Sequence, residues 1–359
     1  MASEYGNNFA EIDRRQRHDT ILSNYAHDRI KESDFLDQYS QNEINEDADY
    51  IKRLNESFDK PLENLPAADR NRIKEIKRMS EVLEAIIAEH GEASNWFGDS
   101  VFVTLTAKYD DIHNGVDVVI EFQPKEGEAE MIALAIDASM NPDFSSVNRK
   151  IMRSANRICE TGTKKETNEI KYFESQITEK RGRVTHIIPV VIGLEGQNVN
   201  YLIDDCVTLI ESQKQLKQDR GNKDTQNNFH EKSKILEKHP AQMVFLKEIL
   251  IQLKAYDQMF NRLESQNNFK TPPEYTRQIK TLSKIIEEVI ASKEKNKIFD
   301  ADLGADGVFH EIQSLGKKIA QEFVPINTHT EIKKSEPTAL QVTNITKPKR
   351  RLPKIYDVK

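Results

Sequence analysis

Two aspartates stand where the sequence can least tolerate them. Asp117 in GVDVVIEF (115–122) and Asp137 in MIALAIDAS (131–139) each interrupt a short, near-continuous apolar run. A carboxylate there is costly unless it is paired or holds a cation. Strand side chains alternate between faces, so Asp117 shares a face with Val119 and Glu121, and Asp137 shares one with Ala135 and Ser139. If the two strands pair with both aspartates on one face, two carboxylates meet at a sheet edge. That oxygen-rich setting suits a hard divalent ion such as Mg²⁺ or Mn²⁺. The structural alternative is that each is a strand-end Asp capping a nearby turn, Asp137 taking the amides of 141–143.

Other residues could join them. Glu84 lies at the edge of the apolar stripe of a helix and reads on its own as a surface glutamate, with Glu81 and Glu89 further round toward solvent. Tyr109, Asp110, Asp111 and Asn114 lead into Gly115 and read first as turn residues, with additional metal ligation as the alternative. Arg149, Arg153 and Arg157 recur every four residues with Lys150 beside them. This basic helical stripe is fit to contact nucleic-acid phosphates, or else is a solvated face answering nearby acids. His90 reads as a packed helix residue, His186 as a core residue of a strand, and Trp96 with Phe97 as an anchor for a helix-to-strand turn.

The elements that must position these groups follow from periodicity. Residues 1–66 carry sparse apolar positions at spacings of three and four, and predict an N-terminal helical arm ended by Pro61 and Pro66. A core over 67–216 reads as helix, three strands (100–109, 115–122, 131–139), helix (144–160), the segment EIKYFES, a buried strand (185–194) and a helix. That order packs as α/β, a mixed central sheet flanked by helices. KQDRGNKDTQNN (217–228) has no apolar residue and predicts a linker. Residues 229–323 carry only helical signals and predict a C-terminal helical unit. The polar segment 324–359, with its basic KPKRRLPK, predicts a disordered tail that either binds nucleic acid or an acidic partner or does nothing specific.

Bulk properties narrow the classes. Hydrophobic residues make up 37% and mean hydropathy is −0.68, enough for a core in part of the chain, with long solvated helices elsewhere. The net charge of −7 means that nucleic-acid contact must come from local patches. Cys159 and Cys206 have no metal-like spacing with any histidine and do not make a disulfide scaffold. No run approaches the ~18 apolar residues of a membrane span, and the first residues lack a secretory h-region, so a reducing cytoplasm is the expected setting. Motifs for P-loop, dinucleotide, serine-hydrolase and zinc-protease chemistry do not occur.

A helix with an acidic residue, an antiparallel strand carrying Asp, and a following strand carrying (Asp/Glu)-x-Lys is the pattern of the PD-(D/E)xK nuclease superfamily. Glu84, the Asp of NGVDVVIEF and the Asp of LAIDAS make this chain resemble it over about a third of its length. The resemblance implies a restriction-endonuclease-like core, Asp117 and Asp137 as Mg²⁺ or Mn²⁺ ligands, Glu84 as the helix acid, and hydrolysis of nucleic-acid phosphodiester bonds. The family lysine falls at Ser139, which has no cation to offer. Lys150, from the following helix, is the expected substitute, and Lys171 the second choice. Without either, the core would be an inactive nuclease-like module that binds nucleic acid, or a protein partner through its helical arms. An incidental α/β core in a purely structural protein is the third reading.

Overall fold

The computed structural model describes residues 2–26, 29–99, 101–123, 132–140, 144–159, 169–267, 271, 273–298 and 306–324. The predicted arm becomes α1 (Ala2–Tyr25), a 3-10 turn (Glu32–Phe35) and α2 (Gln41–Glu63). Ser40 starts α2 with a capping box, accepting from the Glu43 amide while its own amide donates to Glu43 Oε2 at 3.0 Å. Helix α3 (Ala67–Ala93) follows, then β1 (Val101–Leu105), a π-turn (Asp110–Asn114), β2 (Val118–Phe122), β3 (Ile132–Ser139) and α4 (Phe144–Cys159). Next come β4 (Glu169–Glu174), β5 (Arg181–Thr185), β6 (Ile188–Gly193) and α5 (Gly196–Gln218). The chain then runs through α6 (Lys223–Glu237), α7 (Ala241–Asn267), α8 (Pro273–Lys295) and α9 (Gly307–Glu322).

The sheet is mixed, as expected, with strand order β1-β2-β3-β6. Strands β1, β2 and β3 form an antiparallel meander, and β6 joins β3 in parallel after the crossover through α4. Strands β4 and β5 make a separate antiparallel hairpin. Alternation sorts the meander into two apolar faces. Val118, Ile120, Leu134 and Ile136 belong to the main core with α3, α4 and the C-terminal helices. Val119, Ala133 and Ala135 pack instead against Ile170, Phe173 and Val184 of the hairpin.

Three expectations need correction. The predicted linker 217–228 is not one: α5 continues to Gln218, and Asn222 caps α6 by accepting from the amides of Asp224 and Thr225. Residues 229–323 are not a unit apart. Helix α7 lies on β6 and α9 lies on α4; the first turn of α7 is buried on every side (Met243, Val244, Phe245 and Leu246 are successive positions) and needs cover all round. His186 is not inside a strand but at the corner between β5 and β6, half-buried, with φ +65°.

The outer edge of β6 is closed by side chains rather than by another strand. Gln252 of α7 accepts the Val191 N–H at 2.9 Å and donates to Val191 O at 2.6 Å, and Glu248 accepts the Gly193 N–H at 2.9 Å. These backbone groups would otherwise be orphaned beneath a helix. Among the described residues no helix is long and apolar enough to cross a membrane. The predicted basic tail lies outside the described residues.

Candidate functional site

Continuing the β2–β3 register one step past Val118 and Ile136 sets Asp117 across from Asp137. The Asp117 N–H donates to Ile136 O at 2.8 Å, and the Ala138 N–H donates to Asp117 Oδ2 at 2.7 Å. Both aspartates are buried, at 6% and 7% exposure. Helix α3 brings Glu84 to the same strand end, 6% exposed. Glu84 and Asp117 meet at this strand end, with Asp137 near Asp117.

The π-turn resolves the acids before Gly115 into two roles. Asp110 is a staple: it accepts from the amides of Lys171 (2.8 Å) and Tyr172 (2.9 Å) and from Asn114 Nδ2 (2.7 Å). Burial pushes its pKa up to about 6, against the pull of those donors. Asp111 turns the other way, into the site. Ligand atoms of Glu84, Asp111 and Asp117 lie within 4.8 Å of one another. Gly115 ends the turn at φ +64°, where a side chain would strike the Arg153 guanidinium.

Lys150 reaches back from α4 to this strand end. Its Nζ donates to Asp137 Oδ1 at 2.5 Å and to Ala138 O at 3.0 Å. Arg153, one turn on, donates to Asp137 Oδ2 at 3.1 Å. Asp137 therefore does not join the trio. It faces two cations, and the compact oxygen cluster uses Asp111 where Asp137 was expected. Ser139, at the family's lysine position, is buried beside Gly193, where β3 and β6 approach so closely that a Cβ on Gly193 would overlap Ser139 O.

The remaining sequence candidates go elsewhere. Lys171 points away from the site: its Nζ donates to Asp47 of α2 at 2.5 Å and sits among the rings of Tyr39, Tyr109 and Tyr172. Arg157 donates to Asn114 O at 2.5 Å, bracing the π-turn, and Arg149 is exposed. Of the arginine stripe, Arg153 touches Asp137. His90 is packed as expected, its ring bonding Ser94 and Tyr25, and Trp96 anchors its turn by donating to Leu236 O at 2.8 Å.

Two cations escaped the sequence reading. Arg29, from the segment after α1, donates to Glu84 Oε2 at 3.1 Å and Asp111 Oδ2 at 3.4 Å. Lys108 donates to Asp111 at 2.8 Å. No local pattern marks Arg29. Asp111 carried a weak signal, as one of two adjacent acids before a turn glycine.

The electrostatics are those of crowded acids with little water. Asp117 is driven well above the carboxylate range by burial first, then by Glu84, Asp137 and Asp111, with Lys150 opposing. Glu84 is pushed up to about 7 by burial and Asp111, with Arg29 and Lys108 pulling it back. Burial works against the charge of Lys150, but Asp137, Asp117 and Glu84 outweigh it and its pKa is raised. The hard oxygen donors of Glu84, Asp111 and Asp117 fit a divalent cation such as Mg²⁺ or Mn²⁺. A cavity of about 690 Å³ lined by Asn95, Phe97, Lys284 and Lys293 opens at the opposite end of the strands and contains none of these acids. Compared with family models, with curated proteins and with solved structures, the chain matches none of them.

Proposed function

We propose that this centre is a PD-(D/E)xK-like, divalent-metal-dependent nuclease site that hydrolyses phosphodiester bonds of nucleic acid. One observation carries the reading: Lys150 arrives from α4 at the strand end where Glu84, Asp117 and Asp137 meet, supplying the cation that Ser139 cannot. The connectivity around it supports the same reading. Helix α3, the meander, α4 and the parallel strand β6 follow one another in the order expected of a restriction-endonuclease-like core.

Glu84, Asp111 and Asp117 would hold the ion. When bound, Mg²⁺ or Mn²⁺ offsets charge on the reacting phosphate and acidifies a water. The chain's own groups do the rest. Asp137 orients Lys150 and Arg153, and Lys150, still 30% exposed along its side chain, can meet a phosphate oxygen without leaving Asp137. Arg153 and the exposed Arg149 extend positive charge along α4, a local patch on a chain of net charge −7. In the reaction water adds to phosphorus, the ester P–O bond breaks, and the leaving oxygen takes up a proton.

The test is cleavage of labelled single- and double-stranded DNA and RNA with Mg²⁺ or Mn²⁺. Wild type should cut, and Asp117→Asn, Asp137→Asn and Lys150→Ala should each lose on the order of a hundredfold or more. Equal behaviour of all four proteins sinks the reading. A specific observation favours a second one, a nuclease-like module that binds without cutting: four cations, Arg29, Lys108, Lys150 and Arg153, already pair with three of the four acids, Glu84, Asp111 and Asp137. It predicts nucleic-acid binding that survives loss of Asp117 and needs no divalent ion.

A further inference from the structure

Arg29 enters the carboxylate cluster from the N-terminal arm, outside the segment that supplies every other member of the site. Its guanidinium bridges Glu84 Oε2 and Asp111 Oδ2 and is fixed from behind by Thr106 O at 3.0 Å. The next residue is tied down too, the Ile30 N–H donating to Leu105 O at 3.2 Å. Only 17% of the Arg29 side chain is exposed. It is thus a positioned group, unlike Lys108, which pairs with Asp111 from a side chain 45% exposed.

Glu84 and Asp111 are two of the three residues whose oxygens crowd within 4.8 Å. Each gives one oxygen to Arg29. Asp117 gives one of its own to the Ala138 amide. Among the described residues these bonds, with that of Lys108 to the same Asp111 oxygen, engage one oxygen of each acid. A guanidinium beside those oxygens draws on the same negative potential as a divalent ion, and the two cations repel.

We propose that Arg29 is a built-in counter-ion of this centre, holding Glu84 and Asp111 together before a divalent cation arrives and setting how tightly that cation binds. This rests on the reading of the cluster as a cation site given above. The N-terminal arm is then part of the centre, and its docking and the loading of the ion are coupled.

The experiment measures Mn²⁺ binding to the full chain by titration calorimetry and by loss of the free-ion electron paramagnetic resonance signal. Wild type, Arg29→Gln and Arg29→Lys are compared, with cleavage assayed in parallel. Arg29→Gln removes the competing charge and should bind Mn²⁺ about tenfold tighter or more, while Arg29→Lys, which keeps the charge, should stay within about threefold of wild type. Without the ion, Arg29→Gln should melt below wild type, and Mn²⁺ should restore it by more than it stabilises wild type. If Arg29→Gln folds only when Mn²⁺ is added, the ion is replacing the guanidinium and the proposal holds. If it stays unfolded with Mn²⁺, or binds no tighter than wild type, or if Arg29→Lys shifts as far as Arg29→Gln, the proposal is overturned. A tenfold shift without any cleavage keeps the proposal and removes the nuclease reading. Cleavage by wild type without a shift does the reverse, and no Mn²⁺ binding by any of the three removes both.

Discussion

At the scale of single residues, Asp117 shows the tension between folding and chemistry most directly. Its carboxyl group is buried, and its nearest charges include Glu84, Asp137 and Asp111, so ionising it opposes folding. One oxygen accepts the Ala138 amide, a role that an asparagine carbonyl fills equally well. Asp117→Asn therefore removes a buried charge while keeping its hydrogen bond. The expected outcome at neutral pH without metal is a protein more stable than wild type by about 1 kcal/mol or more, which has lost Mn²⁺ binding. Thermal unfolding with and without Mn²⁺ checks this. An Asp117→Asn protein that melts below wild type in metal-free buffer would show that the carboxylate is there to hold the strand end together. Lys150 illustrates the converse. Its charge is stabilised by three acids at once, so its pKa is raised at a position where burial alone would lower it.

At the scale of elements, what could be read from the sequence was whatever depends on one strand or one helix. Alternation put Asp117 and Asp137 on compatible faces, and the register sets them opposite each other. The apolar stripe of α3 placed Glu84 at its edge, and Lys150 was expected only from the resemblance, as a lysine on the helix after the strand that ends in Ser139. What could not be read depends on which elements meet. Arg29 belongs to the site only because the segment after α1 runs along Leu105 and Thr106. Asp110 and Asp111 differ only in which way a π-turn throws them. Strand β5, RGRVT, is polar at three of five positions because only Gly182 and Val184 face inward. The C-terminal helices had clear helical periodicity, but nothing local told that α7 would seal β6. That seal gives a test of its own. Gln252→Ala removes both partners of Val191, leaving a buried N–H and a buried C=O unpaired, at a cost of about 2–4 kcal/mol. Chemical denaturation should show the loss, with hydrogen exchange at Val191 accelerated more than at β2. Unchanged stability would mean that water reaches the β6 edge.

At the scale of the whole molecule, buried histidines and buried acids set the pH response, and they pull in opposite directions. His18 is buried beside Glu75 of α3, His90 meets Tyr25 and Trp96, and His239 stacks on Trp96 beside the start of α7. Burial lowers each to about 4, with Arg78 and Arg14 adding to the effect on His18 and His239 adding to it on His90. Glu75 lies 3.8 Å from His18, too far for a hydrogen bond, and a neutral ring makes no ion pair with it. Because the folded value of about 4 lies below the unfolded 6.5, the unfolded chain binds the extra proton between them. Stability is therefore lost as the pH falls through that window, by up to ~1.4 kcal/mol per pH unit for each histidine. For Asp117 the sign is reversed: its folded value is raised, the folded chain binds the extra proton, and stability is lost as the pH rises above the ordinary carboxylate range. Two variants separate the effects. His18→Leu replaces a ring whose two nitrogens have no hydrogen-bond partner with an apolar side chain, so its advantage over wild type should be small above pH 7 and grow toward pH 4. The advantage of Asp117→Asn should be smallest in acid and grow toward alkaline pH. Melting temperatures of the three proteins across pH 4–9 give two difference curves of opposite slope. Parallel curves would mean that His18 is protonated in the fold, and that the joint between α1 and α3 is an ion pair with Glu75 rather than an apolar contact.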